Sequence, residues 1–317
     1  MRDPIRPDRS GTALGTRDVV QLVVVMLLWA LCYPLIDTGL AFAPPLHFAA
    51  VRALVAGVVL LAVALARRER LPRDRGIWIQ LAGAGLGGTA VGFAGMFVGG
   101  GLVTPGLASV LANAQPLLAA ILGFFVLRER LLGRVGFALG LGFGGIVVIA
   151  GPGLLAGSSN STPVGIGFVL LAACGVAVSN VLLKRLAGRV PPVFGVACQL
   201  LVGAFALAVA ARIVEPSERI TWNLPFVVTL VTLAVLGTAV AFVLWFSLLR
   251  RAELNRLNTY TFLTPVFGLL IAALFYEERL SPLEWSGASL VILAVVVSSR
   301  ATGSPGPERT DRGQRRV

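Results

Sequence analysis

The chain has 317 residues, of which 56% are apolar and only 13% are charged. A soluble domain carries about 25% charged residues, so this composition excludes an ordinary globular protein and favours one that is solvated by lipid. The formal net charge of +12 could suggest nucleic acid, but the arginines lie in short clusters between long uncharged runs. We therefore expect no nucleic-acid partner, and we interpret the basic clusters as anchors beside membrane spans.

Nearly charge-free runs of roughly 17 to 25 residues predict ten membrane-spanning helices. In chain order they lie near 19–40, 45–66, 77–98, 104–127, 135–151, 164–184, 192–212, 225–247, 255–276 and 283–299. The first run is longer than the apolar core of a signal peptide, so we interpret it as a helix that is kept. The segments 1–18 and 300–317 are polar and basic, and we expect both to be disordered.

The basic residues of the connections predict the orientation of these spans. With the N-terminus in the cytoplasm, 23 of the 27 Lys and Arg residues fall in cytoplasmic segments and three fall in external loops. The remaining one, Arg52, lies inside the second span. Since cytoplasmic loops are enriched in Lys and Arg, this asymmetry predicts a multi-pass protein of the inner or plasma membrane with both termini in the cytoplasm.

An internal repeat relates the two halves of the chain. Residues 88–97 recur at 237–246, an offset of 149, with six of ten positions identical. Offsets of 147 to 149 relate four further pairs: Pro116 and Pro265, Arg52 and Gln199, 44–45 and 191–192, and 129–131 and 278–280. Because five spans are an odd number, the second repeat enters the membrane from the opposite side, which places a solute site between the halves.

The predicted fold is therefore an all-α integral membrane protein, with ten transmembrane helices arranged as two inverted five-helix repeats around a central cavity. The first repeat covers 19–151 and the second covers 164–299. An external linker at 152–163 joins them, and the two tails flank them.

The order and spacing of these features resemble the drug/metabolite transporter superfamily, in particular its EamA-type ten-helix branch. The resemblance is carried by Trp29, Arg52, Pro116, Pro265, the two Pro-Pro pairs, and the segments 127–131 and 276–280. One departure is Cys174-Gly175 in the sixth span, where a tryptophan is often found. The resemblance implies a basket of helices whose halves rock to give alternating access, and solutes such as amino acids, nucleosides, sugars, vitamins or drugs.

Arg52 is the only basic side chain predicted inside a span, roughly 12 Å from its outer end. An arginine at the centre of a span costs at least about 2.5 to 3.5 kcal/mol, so it must face a cavity or a partner. It is either a fork for a carboxylate or phosphate of the solute, or part of a structural ion pair. Asp37, late in the first span, is the predicted partner in a gating pair; the alternative is an interfacial Asp37 that contacts water.

Pro116 and Pro265 interrupt backbone hydrogen bonding in two repeat-related spans, and we interpret them as hinges beside the solute site. The other candidates for solute contact are aromatic or polar residues inside spans: Trp29, Tyr33, Asn113, Ser179, Asn180, Gln199, Trp245, Tyr260 and Thr264. For each of them the alternative is helix packing or an interhelical hydrogen bond.

Several further residues are expected to be structural. Glu129 and Glu278 lie at span ends and are interpreted as caps or local ion pairs, and His47 as a boundary residue. Gly83, Gly85 and Gly88 match a dinucleotide-binding pattern, but no strand precedes them, so we expect close helix packing instead. The small-residue series Gly136, Gly140 and Gly144 gives the same expectation.

The leading hypothesis is a secondary transporter for a small metabolite or drug-like solute, with efflux favoured over uptake. An intramembrane enzyme would need a catalytic set such as HExxH or paired aspartates within spans, and neither is present. The third hypothesis is a channel or a scaffold without active transport. Three cysteines without metal-ligand spacing indicate neither a metal nor a cofactor, so the expected partners are the solute and the lipid bilayer. A monomer is compatible with the sequence.

Overall fold

The computed structural model of the protein describes residues 14–69, 71–99, 102–103, 105–129, 133–155, 162–217, 219–275 and 281–300. Within these ranges every regular element is helical and no strand is formed. The predicted all-α membrane fold is thereby confirmed. The repeat segment 276–280, most of both predicted tails and residues 156–161 of the linker lie outside the described residues.

The helices follow the predicted spans to within four residues. They are α1 (Thr16–Leu40), α2 (Pro45–Ala66), α3 (Arg75–Gly99), α4 (Pro105–Ala112, then Gln115–Leu122 continued as π-helix by Gly123–Leu127), α5 (Gly133–Leu155), α6 (Pro163–Leu186), α7 (Pro192–Val214), α8 (Leu224–Leu249), α9 (Leu254–Thr261 and Leu263–Phe275) and α10 (Pro282–Ser299). Nine stretches of the described chain are long and apolar enough to cross a membrane. The exception is α9, which is broken at Phe262, so the count of ten spans stays a prediction.

Local chemistry explains where these helices begin. Pro45 and Pro192 occupy the first turn of α2 and α7, where the missing backbone N–H has no intrahelical partner to lose. At the start of α10, Ser281 and Glu284 form a reciprocal capping box. The Asn223 side chain accepts a hydrogen bond from the Phe226 backbone N–H at the start of α8.

The breaks in α4 and α9 lie where the two repeat-related prolines require them. The first segment of α4 ends at Ala112 and the first segment of α9 ends at Thr261. These residues stand four positions before Pro116 and Pro265, and a proline ring clashes with the carbonyl group at that position. The predicted interruptions are thus present, and each divides its helix near the middle.

A second distortion also recurs in both halves. Residues Gly85–Val91 of α3 and Leu233–Val240 of α8 are wound as π-helix. The repeated Gly-Thr dipeptides, 88–89 and 237–238, lie inside these two stretches. π-helical turns are rare and often occur at functional sites, because the extra residue per turn changes which side chains share a face.

Glycines allow close approach where α5 packs along α10 and where α3 packs against its neighbours. A Cβ atom on Gly145 would lie 2.8 Å from the Gly287 carbonyl oxygen. A Cβ on Gly88 would clash with the Ser179 hydroxyl group, so the packing predicted for that glycine is confirmed. The same prediction is wrong for three α5 positions whose Cβ would meet nothing within 4 Å: Gly136, Gly140 and Gly144.

Ion pairs tie the two predicted repeats together at one end of the bundle, which we call the basic end. Arg251 pairs with Asp18 at 2.8 Å and Arg189 pairs with Asp74 at 2.9 Å. The starts of α1, α3, α7 and α9 meet at this end. The starts of α2, α6 and α8 lie at the opposite end.

Three carboxylates in the connections each cap a helix of the other predicted repeat. At the basic end, Glu69 accepts the Phe194 backbone N–H at 3.1 Å, at the start of α7. At the opposite end, Glu215 accepts the backbone N–H groups of Leu46 and His47, at the start of α2. The third is Glu129, which caps α9. Because the first turn of a helix has unsatisfied N–H groups, each bond stabilises the junction between the halves.

Candidate functional site

Arg52 lies inside the bundle with only 2% of its surface exposed. Its Nε donates to the Thr238 hydroxyl at 2.8 Å, and its Nη2 lies 3.5 Å from the Cys32 sulfur. The guanidinium carbon stands 4.9 Å from the centre of the Phe93 ring. Its Nη1 has no hydrogen-bond partner, and no carboxylate forms an ion pair with it, among the described residues. Arg52 is therefore a buried cation without an anion.

The predicted gating pair between Asp37 and Arg52 is not formed in this structure. Cys32 and Asp37 both belong to α1. Arg52 of α2 faces Cys32, whereas Asp37 is exposed. Five residues separate Cys32 from Asp37, which places their side chains about 140° apart around the helix axis. Asp37 therefore points away from Arg52 because of the helical phase.

The α1 helix is exposed along two faces of different character. One is wholly apolar and contains Val20, Val24, Leu27 and Leu31. The other begins at the half-buried Trp29 and continues at a spacing of four residues with Tyr33, which is 54% exposed, and with the exposed Asp37. A helix in the wall of a bundle meets lipid on one side only, so the second, polar face indicates an opening inside the bundle.

An aromatic cluster extends from this polar face towards Arg52. The Trp29 ring lies 5.5 Å from that of Trp245 and 6.1 Å from that of Phe242, between ring centres. Phe242 contacts Phe93 at 6.2 Å, and Phe93 is the ring beside Arg52. The indole N–H of Trp29 has no partner among the described residues. The cluster is therefore a continuous row of contacting groups: the aromatic rings, the unpartnered indole N–H of Trp29, and the Arg52 cation at its end.

Asn180 anchors the other side of this cluster. Its side-chain oxygen accepts the indole N–H of Trp245 at 3.0 Å, and both residues are buried. Of the residues predicted to contact solute, the structure thus brings together Trp29, Asn180 and Trp245, with Arg52 at the far end. The sequence prediction missed Phe93 and Phe242, although the two are equivalent positions of the repeated segments 88–97 and 237–246; that identity is the signal that could have found them.

Replacing Trp245 by Phe tests the bond to Asn180. The variant retains an aromatic ring against Trp29 but leaves the buried amide oxygen unsatisfied, which costs about 1–3 kcal/mol. We expect the free energy of unfolding in detergent to fall by about this amount, measured by denaturant titration. Trp285→Phe is the control, since Trp285 is 55% exposed; equal losses in both variants would contradict this role for the Asn180 bond.

The Arg52 contact is built a second time at repeat-related positions. Gln199 Nε2 donates to the Thr89 hydroxyl oxygen at 3.4 Å. In the same way, Arg52 Nε donates to the Thr238 hydroxyl oxygen at 2.8 Å. Both threonines lie in the π-helical stretches, and each follows a glycine that leaves room for a side chain from α1 or α6. The side chains in question are Cys32 and Ser179, which are also 147 residues apart.

The two junctions differ in charge. The first half places a guanidinium group where the second half places the neutral amide of Gln199, whose oxygen has no partner among the described residues. Ser179 donates to the Ala84 carbonyl oxygen at 3.0 Å and so bonds α6 to α3. Gln199 and Ser179 therefore hold helices together in this structure, with α7 and α6 each bonded to α3.

The remaining predicted site residues lie at the two helix breaks. Asn113 donates to the Ser109 carbonyl oxygen of its own helix at 2.8 Å, just before Pro116. Near Pro265, the Thr264 hydroxyl donates to the Met26 sulfur at 3.4 Å and so joins α9 to α1. Tyr260 is 1% exposed, and its hydroxyl has no partner among the described residues.

The two ends of the bundle differ in how tightly they are packed. The first segment of α9, at the basic end, is buried along its whole length although it is polar. The first segment of α4, at the opposite end, has no fully buried side chain among residues 107–112. Among the described residues, the α9 segment at the basic end is therefore packed more tightly than its repeat-related α4 segment at the opposite end.

A bundle of apolar helices long enough to cross a membrane, with aromatic and polar groups in its interior, defines a multi-pass membrane protein. The model of the EamA-like transporter family matches residues 17–151 and again 163–300. The chain belongs to this family.

Individual relatives match nearly the whole chain. An uncharacterized transporter of Bacillus subtilis (strain 168) is 29% identical over 88% of this chain and 90% of its own. A probable amino-acid metabolite efflux pump of Escherichia coli (strain K12) is 29% identical over 90% of this chain and 95% of its own. A solved crystal structure covers 90% of this chain and 97% of its own with a TM-score of 0.75, and at 24% identity it supports the fold alone.

Proposed function

We propose that the protein is a secondary transporter that exports a small metabolite with an anionic group, such as an amino acid, across the cytoplasmic membrane by alternating access. The observation that carries the proposal is the buried cation of Arg52. A charge without a partner inside a membrane protein is expensive, and such residues commonly mark a solute pathway. A solute carboxylate would supply the missing anion and use the unpartnered Nη1 as a donor.

The aromatic cluster supports a solute of modest size with an apolar part. Trp29, Trp245 and Phe242 offer ring faces for packing, and Asn180 holds one ring in place. The name of the Escherichia coli relative, an amino-acid metabolite efflux pump, favours the same solute class and outward direction. We therefore assign solute contact to Trp29, Trp245 and Arg52, with Asn180 in a positioning role.

The unequal ends of the bundle support alternating access. In our proposal the basic end faces the cytoplasm with both termini, in line with the distribution of Arg and Lys. The closed basic end and the more open opposite end would be one of two alternating conformations. The breaks before Pro116 and Pro265 would act as hinges, since each lets the two halves of a helix move separately. The duplicated junctions at Thr89 and Thr238 support two inverted repeats, 19–151 and 164–299.

Solute counterflow tests the proposal directly. Purified protein in liposomes preloaded with unlabelled amino acids is expected to accumulate radiolabelled amino acids transiently, with saturable rates. Nucleosides and quaternary ammonium compounds serve as comparison solutes, and we expect weaker counterflow for the cations because Arg52 repels them. Flux that neither saturates nor shows counterflow would indicate a channel and reject the carrier, and a preference for cations would reject the anionic solute.

A further inference from the structure

The first segment of α9, Leu254–Thr261, is polar and yet wholly buried at the basic end. Within it, Asn255 is 1% exposed and Asn258 is 0% exposed. Neither the oxygen nor the nitrogen of either side-chain amide has a hydrogen-bond partner among the described residues, and the Tyr260 hydroxyl has none either. An amide that is buried without a partner loses its hydrogen bonds to water, so the present arrangement of this segment is costly.

The repeat equivalent of this segment has the opposite character. The offset of 149 residues relates it to the first segment of α4, Pro105–Ala112. The only polar side chain in that sequence is Ser109. Residues 107–112 are half-buried, whereas 254–261 are all buried. The polar member of the pair is therefore the one that is packed away, and the apolar member, which burial would suit better, is the one that is partly exposed.

We propose that the polar segment of α9 lines an opening at the basic end in the second conformation of the carrier, and that its unpartnered amides favour that conformation in the empty protein. The inference rests on the proposed alternating access between inverted repeats. When two inverted repeats exchange their arrangements, the bundle opens on the opposite side. The α9 segment then takes the partly exposed position that its α4 equivalent has here, where Asn255 and Asn258 bind water or an entering solute.

Hydrogen bonds at the connection between α8 and α9 hold the basic end in its present arrangement. Gln21 of α1 donates to the Leu244 carbonyl oxygen at 2.8 Å and to the Ser247 hydroxyl at 2.6 Å, near the end of α8. Lys184 of α6 donates to the Leu249 carbonyl oxygen at 2.8 Å. These bonds act against the cost of the buried amides, and the balance between the two sets how often the basic end opens.

The direction of this preference agrees with export. With the basic end in the cytoplasm, an empty carrier that rests open at this end is ready to load solute from the cytoplasm. Each asparagine amide offers an acceptor for an ammonium group and a donor for a carboxylate group. The opening would therefore admit a zwitterionic amino acid without repelling either of its charges.

Reporter cysteines at the two ends measure the preference without any solute. Thr259→Cys reports on the basic end and Ser109→Cys on the opposite end, each labelled in lipid nanodiscs with a sulfonated maleimide that does not enter lipid. Labelling of the native cysteines, measured without a reporter, is subtracted. Asn258→Leu keeps nearly the same shape but removes the polar atoms. We expect it to slow labelling at 259 by about tenfold and to quicken labelling at 109.

Asn255→Leu is a second variant that should move both reporters in the same directions. Thr261→Val is the matched control on the same segment, because the hydroxyl that it removes already donates to the Asn258 carbonyl oxygen at 2.7 Å, and it should label as the parent does.

Three results would overturn the proposal: labelling at 259 that is not slowed by either asparagine substitution, slower labelling at both ends, or an equal shift in Thr261→Val. Absent counterflow with reporters that move in opposite directions would reject the carrier instead. Saturable counterflow with reporters that do not move would reject only the role of the asparagines.

Discussion

Arg52→Gln is expected to weaken binding of a solute with a carboxylate group by about 30-fold or more. Truncating one partner of a buried charge pair costs about 2–5 kcal/mol, and each 1.4 kcal/mol corresponds to tenfold in affinity. The half-saturation concentration for amino-acid counterflow, or the ligand-induced shift in thermal unfolding, measures this change. Solutes without an anionic group should bind the variant as well as they bind the wild type.

Glutamine is chosen as the replacement because the second half of the chain has a glutamine, Gln199, at the position equivalent to Arg52. Gln199 forms the repeat-related contact with Thr89, so a glutamine at position 52 can keep the bond to Thr238 while the charge is removed. Arg212→Gln serves as the control, since Arg212 is exposed in the last turn of α7. Unchanged affinity in Arg52→Gln, with a change in thermal stability alone, would show that the guanidinium is structural and remove it from the solute site.

Local sequence chemistry predicted most of the fold. The bounds of α2 match the predicted span 45–66 at both ends, because a Pro-Pro pair marks its start and an arginine cluster follows its end. The interruptions of α4 and α9 were also predictable, since proline acts on a carbonyl group only four residues away. These signals are read within one or two helical turns, and no knowledge of the tertiary structure is needed.

The contacts of Arg52 show where such reasoning ends. The repeat offset predicted that Arg52 and Gln199 are equivalent, but their acceptors were not predicted. Thr89 and Thr238 are both buried and lie in π-helical stretches, where the face of a residue does not follow the α-helical period of 3.6 residues per turn. An extra residue per turn rotates every following side chain, and the sequence carries no clear signal for it. The predicted pair of Asp37 with Arg52 is not formed in this structure for a related reason, since the helical phase of α1 turns Asp37 away from Arg52.

Helix caps between residues far apart in the sequence were even harder to predict. Glu129 was predicted as a cap or a local ion pair, and it is a cap, but the helix that it caps begins 125 residues later in the chain. His47 was interpreted as a boundary residue, and its ring nitrogen lies 2.7 Å from a Glu215 oxygen. Such contacts depend on how helix ends from different repeats meet, which charge and hydropathy along the chain do not describe.

Gly145→Leu is expected to disrupt the fold, whereas Gly144→Leu is expected to leave it intact. A Cβ at position 145 would lie 2.8 Å from the Gly287 carbonyl oxygen, which belongs to a backbone that cannot turn aside. Overpacking of this kind costs about 1–3 kcal/mol or more. Position 144 has open space, so Leu there only replaces glycine within a helix and stabilises it by up to about 1 kcal/mol.

Thermal unfolding in detergent and the monodisperse fraction after gel filtration measure both variants. The comparison separates two kinds of glycine that look alike in the sequence: those that let α5 and α10 touch, and those on the outer face of α5. A Gly145→Leu variant as stable as the wild type would mean that α5 and α10 do not approach through this contact. If Gly144→Leu were the damaging change instead, the face with Gly136, Gly140 and Gly144 would be the packed one, and α5 would have to be rotated about its axis.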